Sequence, residues 1–147
     1  MHTIRKILKE KGGEIWSVAP DTLVYDALQM MADKDIGALL VLKDKKLTGI
    51  FSERDYARKV ILKGKSSQRT RVSEIMTTEM VFAALDQTCE QGLALMTANY
   101  IRHLPVFDND QLVGIVSIGD LVKAIMDDQR QMIEQLENYI REYTSIT

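Results

Sequence analysis

Apolar residues along this chain change rhythm in a fixed order, and the order occurs twice. After Asp21, the positions Leu23, Ala27, Leu28, Met30 and Met31 recur mostly at steps of three and four, which lays them along one side of a helix. Two short apolar runs follow at residues 38–42 and 47–51, joined by the polar stretch KDKK, and such runs bounded by turn formers predict a strand hairpin. A further helix is predicted to open at Ser52, with Tyr56, Val60 and Ile61 on one face. Downstream, Thr88, Leu93, Leu95 and Met96 take the first helical pattern, residues 104–107 and 112–116 the two runs around DNDQ, and Leu121, Val122 and Ile125 the final face. Short strands are expected ahead of each set, at residues 15–18 and 80–83, and Asp21 and Asp86 stand where helix N-caps belong. The expected unit is strand, helix, strand, strand, helix.

Laid on each other without a gap, residues 21–60 and 86–125 share eleven identical pairs in forty. Chance gives about two or three, so the chain is an internal duplication. The expected fold is mixed α+β, with two β-α-β-β-α repeats packed sheet to sheet about a pseudo-twofold axis. The expected division is an N-terminal helical segment at residues 1–13, a first repeat at 14–68, a second at 69–126 and a C-terminal helical extension at 127–147. Two clefts are expected where the third strands and second helices of both repeats converge, and ligand pockets favour such junctions.

The ends carry patterns of their own. Residues 121–143 lack Gly and Pro and place Ile125, Gln129, Met132, Leu136, Tyr139 and Tyr143 at alternating steps of four and three, a seam along one helix face. It either folds back on its own domain or pairs with another subunit, and a homodimer is the reading favoured. Residues 3–11 are expected to form a short helix before Gly12 and Gly13.

Composition removes several function classes. Nineteen Lys and Arg against 21 Asp and Glu give a net charge of −2, so no global positive field exists to hold nucleic acid. No apolar run approaches the length of a membrane span, and the N-terminal stretch lacks the apolar block of a secretion signal. The single cysteine, Cys89, cannot close an internal disulfide, which points to a cytoplasmic protein. His2, expected in a surface tail, and His103 with Cys89 form no metal-ligand set.

The strongest chemistry lies at the two strand ends GIFSERD (49–55) and GIVSIGD (114–120). Ser52 with Asp55, and Ser117 with Asp120, match a helix-capping box with a shortened acid, and that alone stabilises a helix by about 1 kcal/mol. The same atoms suit a ligand. A helix N-terminus with a serine hydroxyl favours phosphate, a carboxylate one turn on can accept hydrogen bonds from two ribose hydroxyls, and glycine lets a flat group approach the backbone.

These motifs resemble those of the cystathionine beta-synthase (CBS) domain family, over about residues 14–126 as a tandem pair. The family pattern of glycine, apolar, any, Ser or Thr, two free positions and Asp is met in full at both places; VSEIMT (72–77) and RHLPVFD (102–108) are also family-like. The resemblance implies a sensor that binds AMP, ADP, ATP, NAD or S-adenosylmethionine in the clefts. Carried onto this chain, it makes Asp55 and Asp120 ribose ligands and puts Ser52 and Ser117 near phosphates. Val18 with the backbone of Ile36, Gly37 and Ala38 would line one adenine slot, and Val81 with Ile101, Arg102 and His103 the other.

The two copies differ. Arg54 stands beside the first cap where the second has Gly119, and Arg102 and His103 replace Gly37 and Ala38, so charge for phosphate is distributed unequally. If the halves contribute across the axis, Arg102 and His103 reach a phosphate in the cleft of Asp55. The basic run at residues 57–71, with Arg58, Lys59, Lys63, Lys65, Arg69 and Arg71, is the one place where a larger anion such as NAD or ATP finds local charge. One cleft is thus expected to prefer AMP and the other to admit a dinucleotide. The favoured class is a non-catalytic sensor acting on an unknown regulated protein. A dimeric scaffold without ligand and a nucleotide phosphohydrolase are the alternatives, the latter weakened because no tuned base or nucleophile stands out.

Overall fold

The computed structural model describes residues 2–145. In chain order its elements are α1 (Ile4–Lys11), β1 (Ser17–Val18), α2 (Val24–Lys34), β2 (Ala38–Lys43), β3 (Lys46–Ser52) and α3 (Glu53–Tyr56), which runs on as a π-helical turn (Ala57–Ile61). Then come α4 (Val72–Ile75), β4 (Ala83–Ala84), α5 (Cys89–Asn99), β5 (His103–Asp108), β6 (Gln111–Ser117) and α6 (Ile118–Ser145). The strands form two three-stranded sheets, in the orders β1-β2-β3 and β4-β5-β6. In each, the first pair is parallel and the second antiparallel, the second being the hairpin expected from the repeat.

The ladders repeat residue for residue: Leu39 faces Phe51 as Leu104 faces Val116, and Val41 faces Gly49 as Val106 faces Gly114. Each hairpin has a register irregularity directly after the valine of its first strand, Val41 or Val106. The first hairpin turns through Asp44 and Lys45, with φ of 50° and 66°, a two-residue loop of the kind whose twist matches that of the strands.

Contacts divide the chain into two compact units that do not follow the repeat spans. One runs from Glu14 to Val81; the other joins the N-terminal residues through Gly13 to the chain from Phe82 onward. In the first, the segment after residue 68 packs with the first repeat: the backbone N–H of Val24 donates to Thr70 O at 2.9 Å, and that of Val72 to Thr22 O at 2.8 Å. In the second, α1 packs with the second repeat, with Ile4 N donating to Gln87 O at 2.9 Å and Arg5 N to Leu85 O at 3.0 Å. Ile4 and Ile7 are buried there. Each short pre-repeat helix thus supplies apolar cover that a three-stranded sheet of this size needs.

The Glu14–Val81 unit centres on Val24, Ala27, Met31, Leu39, Val41, Phe51, Val60 and Val72. In the other unit Ile4, Cys89, Met96, Leu104, Val106, Val116 and Leu121 are fully or nearly fully buried. Burial pushes the Cys89 thiol up to about 11, so it stays protonated as a small apolar side chain.

Several local expectations are corrected. The first helices begin later than Asp21 and Asp86, with Leu23 and Thr88 at the N-cap positions. Each aspartate is used elsewhere: the Asp21 carbonyl accepts from Arg71 Nη1 at 2.6 Å, and the Asp86 carboxylate from Arg5 at 2.8 Å. The first strands are two residues each, shorter than expected. In register, Val18 pairs with Val41 and Ala83 with Val106, so the counterpart of Val18 is Ala83, not Val81. His2 is not in a surface tail. It is 5% exposed, its imidazole lies against the Asp128 carboxylate, and its backbone N–H donates to Asp128 Oδ2 at 3.0 Å.

Candidate functional site

At the end of β3 the chain leaves the sheet at Ser52, whose extended backbone (φ −120°, ψ 165°) makes it the N-cap of α3. Ser52 Oγ accepts from Asp55 N at 3.2 Å while Asp55 Oδ2 accepts from Ser52 N at 2.9 Å, the reciprocal pairing of a capping box. The other carboxylate oxygen is also engaged. Asp55 Oδ1 accepts from Thr77 Oγ1 at 2.9 Å and forms an ion pair with Lys59 Nζ at 2.9 Å. Lys59 lies one turn on along the same helix, the favourable direction for an acid–lysine pair, and also donates to Ile75 O at 3.1 Å. Asp55 is 6% exposed, and these partners supply what burial of its charge demands.

The segment leaving α4 holds this site shut against β3. Thr77 and Ile50 exchange two backbone hydrogen bonds of 2.9 Å. A Cβ at Gly49 would stand 2.6 Å from Met76 Sδ and 3.0 Å from Thr77 O, so the motif glycine is required by the close approach of this segment.

The second motif repeats the cap and changes its partners. Asp120 Oδ2 accepts from Ser117 N at 2.9 Å, and Asp120 N donates to Ser117 Oγ at 3.1 Å. Its lysine comes from α1: Lys11 Nζ donates to Asp120 Oδ2 at 2.8 Å and to Ile115 O at 3.1 Å. Partial burial pulls the Asp120 carboxyl upward, but the hydrogen bonds from Lys11 and Ser117 outweigh it and hold it below the usual carboxylate value. Both contacts fall on Oδ2; among the described residues Oδ1 accepts none. Asp120 lines a groove of about 220 Å³ together with Ile7, Glu10, Lys11, Lys123, Ala124 and Asp127. A Cβ at Gly114 would meet only the tips of Leu8, at 2.8 Å and 3.2 Å.

The remaining expected residues divide in two. Ala38 faces Ser52 across the ladder, and His103 faces Ser117. Gly37 O accepts from the first helical N–H, that of Glu53, at 3.1 Å, and Arg102 O from that of Ile118 at 2.8 Å. The stretches 36–38 and 101–103 therefore stand beside their motif serines, with Ile36, Gly37, Ile101 and His103 half-buried and the Arg102 side chain exposed. Val18 instead packs into the core of its unit, Val81 lies outside any strand, and Arg54 is exposed on α3. Within the basic run, Lys59 is committed to Asp55, and Arg71 to the Asp21 carbonyl.

The sequence reading missed three carboxylate partners. Lys59 was legible as the residue four beyond Asp55 on a helix. Thr77 ends the VSEIMT stretch, but nothing in that stretch predicts a hydroxyl pointing at Asp55. Lys11 lies 109 residues from Asp120 and has no local signal at all.

Two strand-and-helix units of one pattern, each ending its third strand in a glycine and a serine–aspartate cap, define a tandem repeat domain. The comparisons with known proteins give the family. The CBS domain model matches residues 5–62 and again 72–127, and the chain belongs to that family as a CBS domain pair. A mitochondrial CBS domain-containing protein of Arabidopsis thaliana, CBSX3, is 39% identical over 149 residues, covering 95% of this chain and 72% of the relative. YhcV, a CBS domain-containing protein of Bacillus subtilis, is 34% identical over 116 residues, covering 79% and 82%. The solved structure of a putative signal-transduction protein with CBS domains from Burkholderia ambifaria superposes with a TM-score of 0.83 at 48% identity, covering 86% of this chain and 96% of the other. The mitochondrial name belongs to the Arabidopsis protein and differs from the cytoplasmic compartment expected from composition. Among the described residues no helix is long and apolar enough to cross a membrane.

Proposed function

We propose that this chain is a regulatory module without chemistry of its own, binding an adenosine-containing ligand (AMP, ADP, ATP or NAD) at the serine–aspartate motifs and passing its occupancy to another protein. The observation that carries this reading is the Asp120 carboxylate, held below its usual value with its Lys11 and Ser117 backbone contacts both on Oδ2, in a groove that Lys11 and Lys123 border together with Glu10 and Asp127. Ribose hydroxyls would donate to Oδ1, and the Lys11 and Lys123 ammonium groups would answer phosphate charge. The backbone of residues 101–103 beside Ser117 offers the base an edge to read. A solved CBS pair 22% identical to this chain is described in complex with 5-methylthioadenosine and S-adenosyl-L-methionine; a likeness that distant speaks for the fold alone, which can hold an adenosyl group.

On this reading the two motifs are unequal. At Asp55 both oxygens already have protein donors, so a sugar must displace Thr77 or Lys59, whereas at Asp120 it adds to an open oxygen. The second motif fills first, and a dinucleotide, with more phosphate to answer, draws on Lys11 and Lys123 there.

Titration calorimetry with AMP, ADP, ATP and NAD, paired with thermal unfolding, tests this. A ligand that binds only the folded chain stabilises it by about 2.7 kcal/mol at a hundredfold excess over its Kd. Asp120→Asn should weaken the tighter site at least tenfold and Asp55→Asn should leave it unchanged. No heat and no shift with any of the four nucleotides would favour a ligand-free scaffold instead, and release of phosphate from ATP or ADP would favour the phosphohydrolase.

A further inference from the structure

Residues 57–71 carry six Lys and Arg and no acid, in a chain whose net charge is −2, so the remainder carries −8. The excess belongs to one repeat alone: the corresponding stretch of the other, residues 122–136, has Lys123 and Arg130 against Asp127, Asp128 and Glu134. The basic stretch also has a fixed shape. Leu62 N donates to Ala57 O at 3.1 Å and Lys65 N to Val60 O at 2.9 Å, the spacing of a π-helical turn, and such turns recur at functional sites. Gly64, with φ of 68°, reverses the chain. The loop then closes on the start of α2, where Ser67 O and Thr70 O accept from the N–H groups of Tyr25 and Val24 at 2.9 Å each. All of it lies within the Glu14–Val81 unit.

Two of the six cations are used inside the unit, Lys59 on Asp55 and Arg71 on the Asp21 carbonyl. The other four, Arg58, Lys63, Lys65 and Arg69, are exposed, and among the described residues their side chains meet no acid. Between them stand Ile61 and Leu62, 55% and 76% exposed, and Arg58, three and four residues earlier, shares their side of the helix end. Like charges held together in this way repel one another and are relieved by an anion. The charge elsewhere decides how large that anion is. A bilayer or a nucleic acid duplex spreads negative charge across the whole molecule and is repelled by the remaining −8, whereas a short acidic segment meets the loop and is screened from charges beyond a Debye length of about 8 Å. A second copy of the chain is disfavoured too, because a twofold contact sets this patch against itself, like charge on like. Guanidinium and ammonium groups suit carboxylates, and the exposed aliphatic pair suits an apolar side chain placed among them.

We propose that the loop of residues 57–70 is a docking surface for a short acidic segment of a partner protein, whose carboxylates meet Arg58, Lys63, Lys65 and Arg69 while an apolar side chain covers Ile61 and Leu62. The proposal holds whether or not a nucleotide binds at Asp120. Fluorescence anisotropy of the full chain with a fluorescein-labelled peptide of Glu and Asp carrying two leucines should show saturable binding that weakens as salt is raised. Lys63→Glu with Lys65→Glu should weaken it about tenfold, and Leu62→Ser about threefold. Lys43→Glu with Lys46→Glu, the same change of net charge at exposed positions on the β2–β3 hairpin, should leave the affinity within about twofold. The substituted side chains are exposed, so thermal unfolding should stay as in wild type. Several results would overturn the proposal: no binding, equal binding of the peptide with Gln and Asn in place of its acids, or indifference to the Lys63 and Lys65 reversals. So would stronger attachment to phosphatidylserine vesicles than to the peptide, which assigns the loop to a membrane, or a self-associated chain that the same reversals turn into monomers in sedimentation, which assigns it to a second copy.

Discussion

Asp55 and Asp120 sit at the same place in two copies of one motif, in identical capping geometry, and each is met by one lysine. The lysines come from different sources. Lys59 belongs to the helix that Asp55 caps, and Thr77 joins it, so Asp55 is buried and fully engaged. Lys11 arrives on α1 from the other end of the sequence and engages one oxygen of a half-buried Asp120. Duplication preserved the carboxylate and its cap. What each copy presents to a ligand was then set by the segment packed over it: Met76 and Thr77 over the first, Leu8 and Lys11 over the second.

The largest test of this contrast is on stability. Asp55→Ala removes a buried cap and leaves Lys59 and Thr77 without their acceptor, and should cost about 2–3 kcal/mol in chemical denaturation. Asp120→Ala should cost about 1 kcal/mol, because its lysine partner is well exposed and returns to water. Equal losses at the two positions would erase the distinction between them.

The glycines should diverge in the same direction by less. Gly49→Ala drives a methyl toward the backbone oxygen of Thr77 and should destabilise by about 1–3 kcal/mol. Gly114→Ala meets only the flexible end of Leu8 and should stay below about 1 kcal/mol. A larger loss at Gly114 than at Gly49 contradicts the account of what covers each motif.

The smallest effect is one of pH. The Asp120 carboxyl is held below its ordinary value of 3.8, so the charged form favours the folded state. That contribution is whole above about pH 4 and fades as acid carries the pH down through the lowered value. Lys11→Met removes a main cause of the lowering, so the Asp120 resonance should titrate at higher pH in NMR while wild type titrates later on the way down. An unmoved titration in the variant would mean that Lys11 does not control this group.

Much of the repeat could be read along the chain because its determinants are local. Apolar spacing located α2, α5 and both hairpins, and the serine–aspartate pairs announced the starts of α3 and α6. Reading failed where the answer depended on distant chain. Asp21 and Asp86 resembled caps, but the helices begin two or three residues later: Arg5 engages the Asp86 carboxylate, Arg71 binds the Asp21 backbone carbonyl, and Leu23 became a cap position with no side-chain hydrogen bond. The π-helical turn after Tyr56 has no signature in the residues that form it. His2 had every mark of a tail residue until Asp128 gathered it in.

The order of residues alone determined that there are two like units, where their strands and helices fall, and which serines and carboxylates stand at the helix starts, because periodicity and capping act within a few residues. Only the folded arrangement decided which lysine neutralises which aspartate and which oxygen remains open. It also decided that each short pre-repeat helix packs with the repeat that does not follow it. Those outcomes rest on packing between residues as much as 109 positions apart, and no local pattern encodes a meeting at that range.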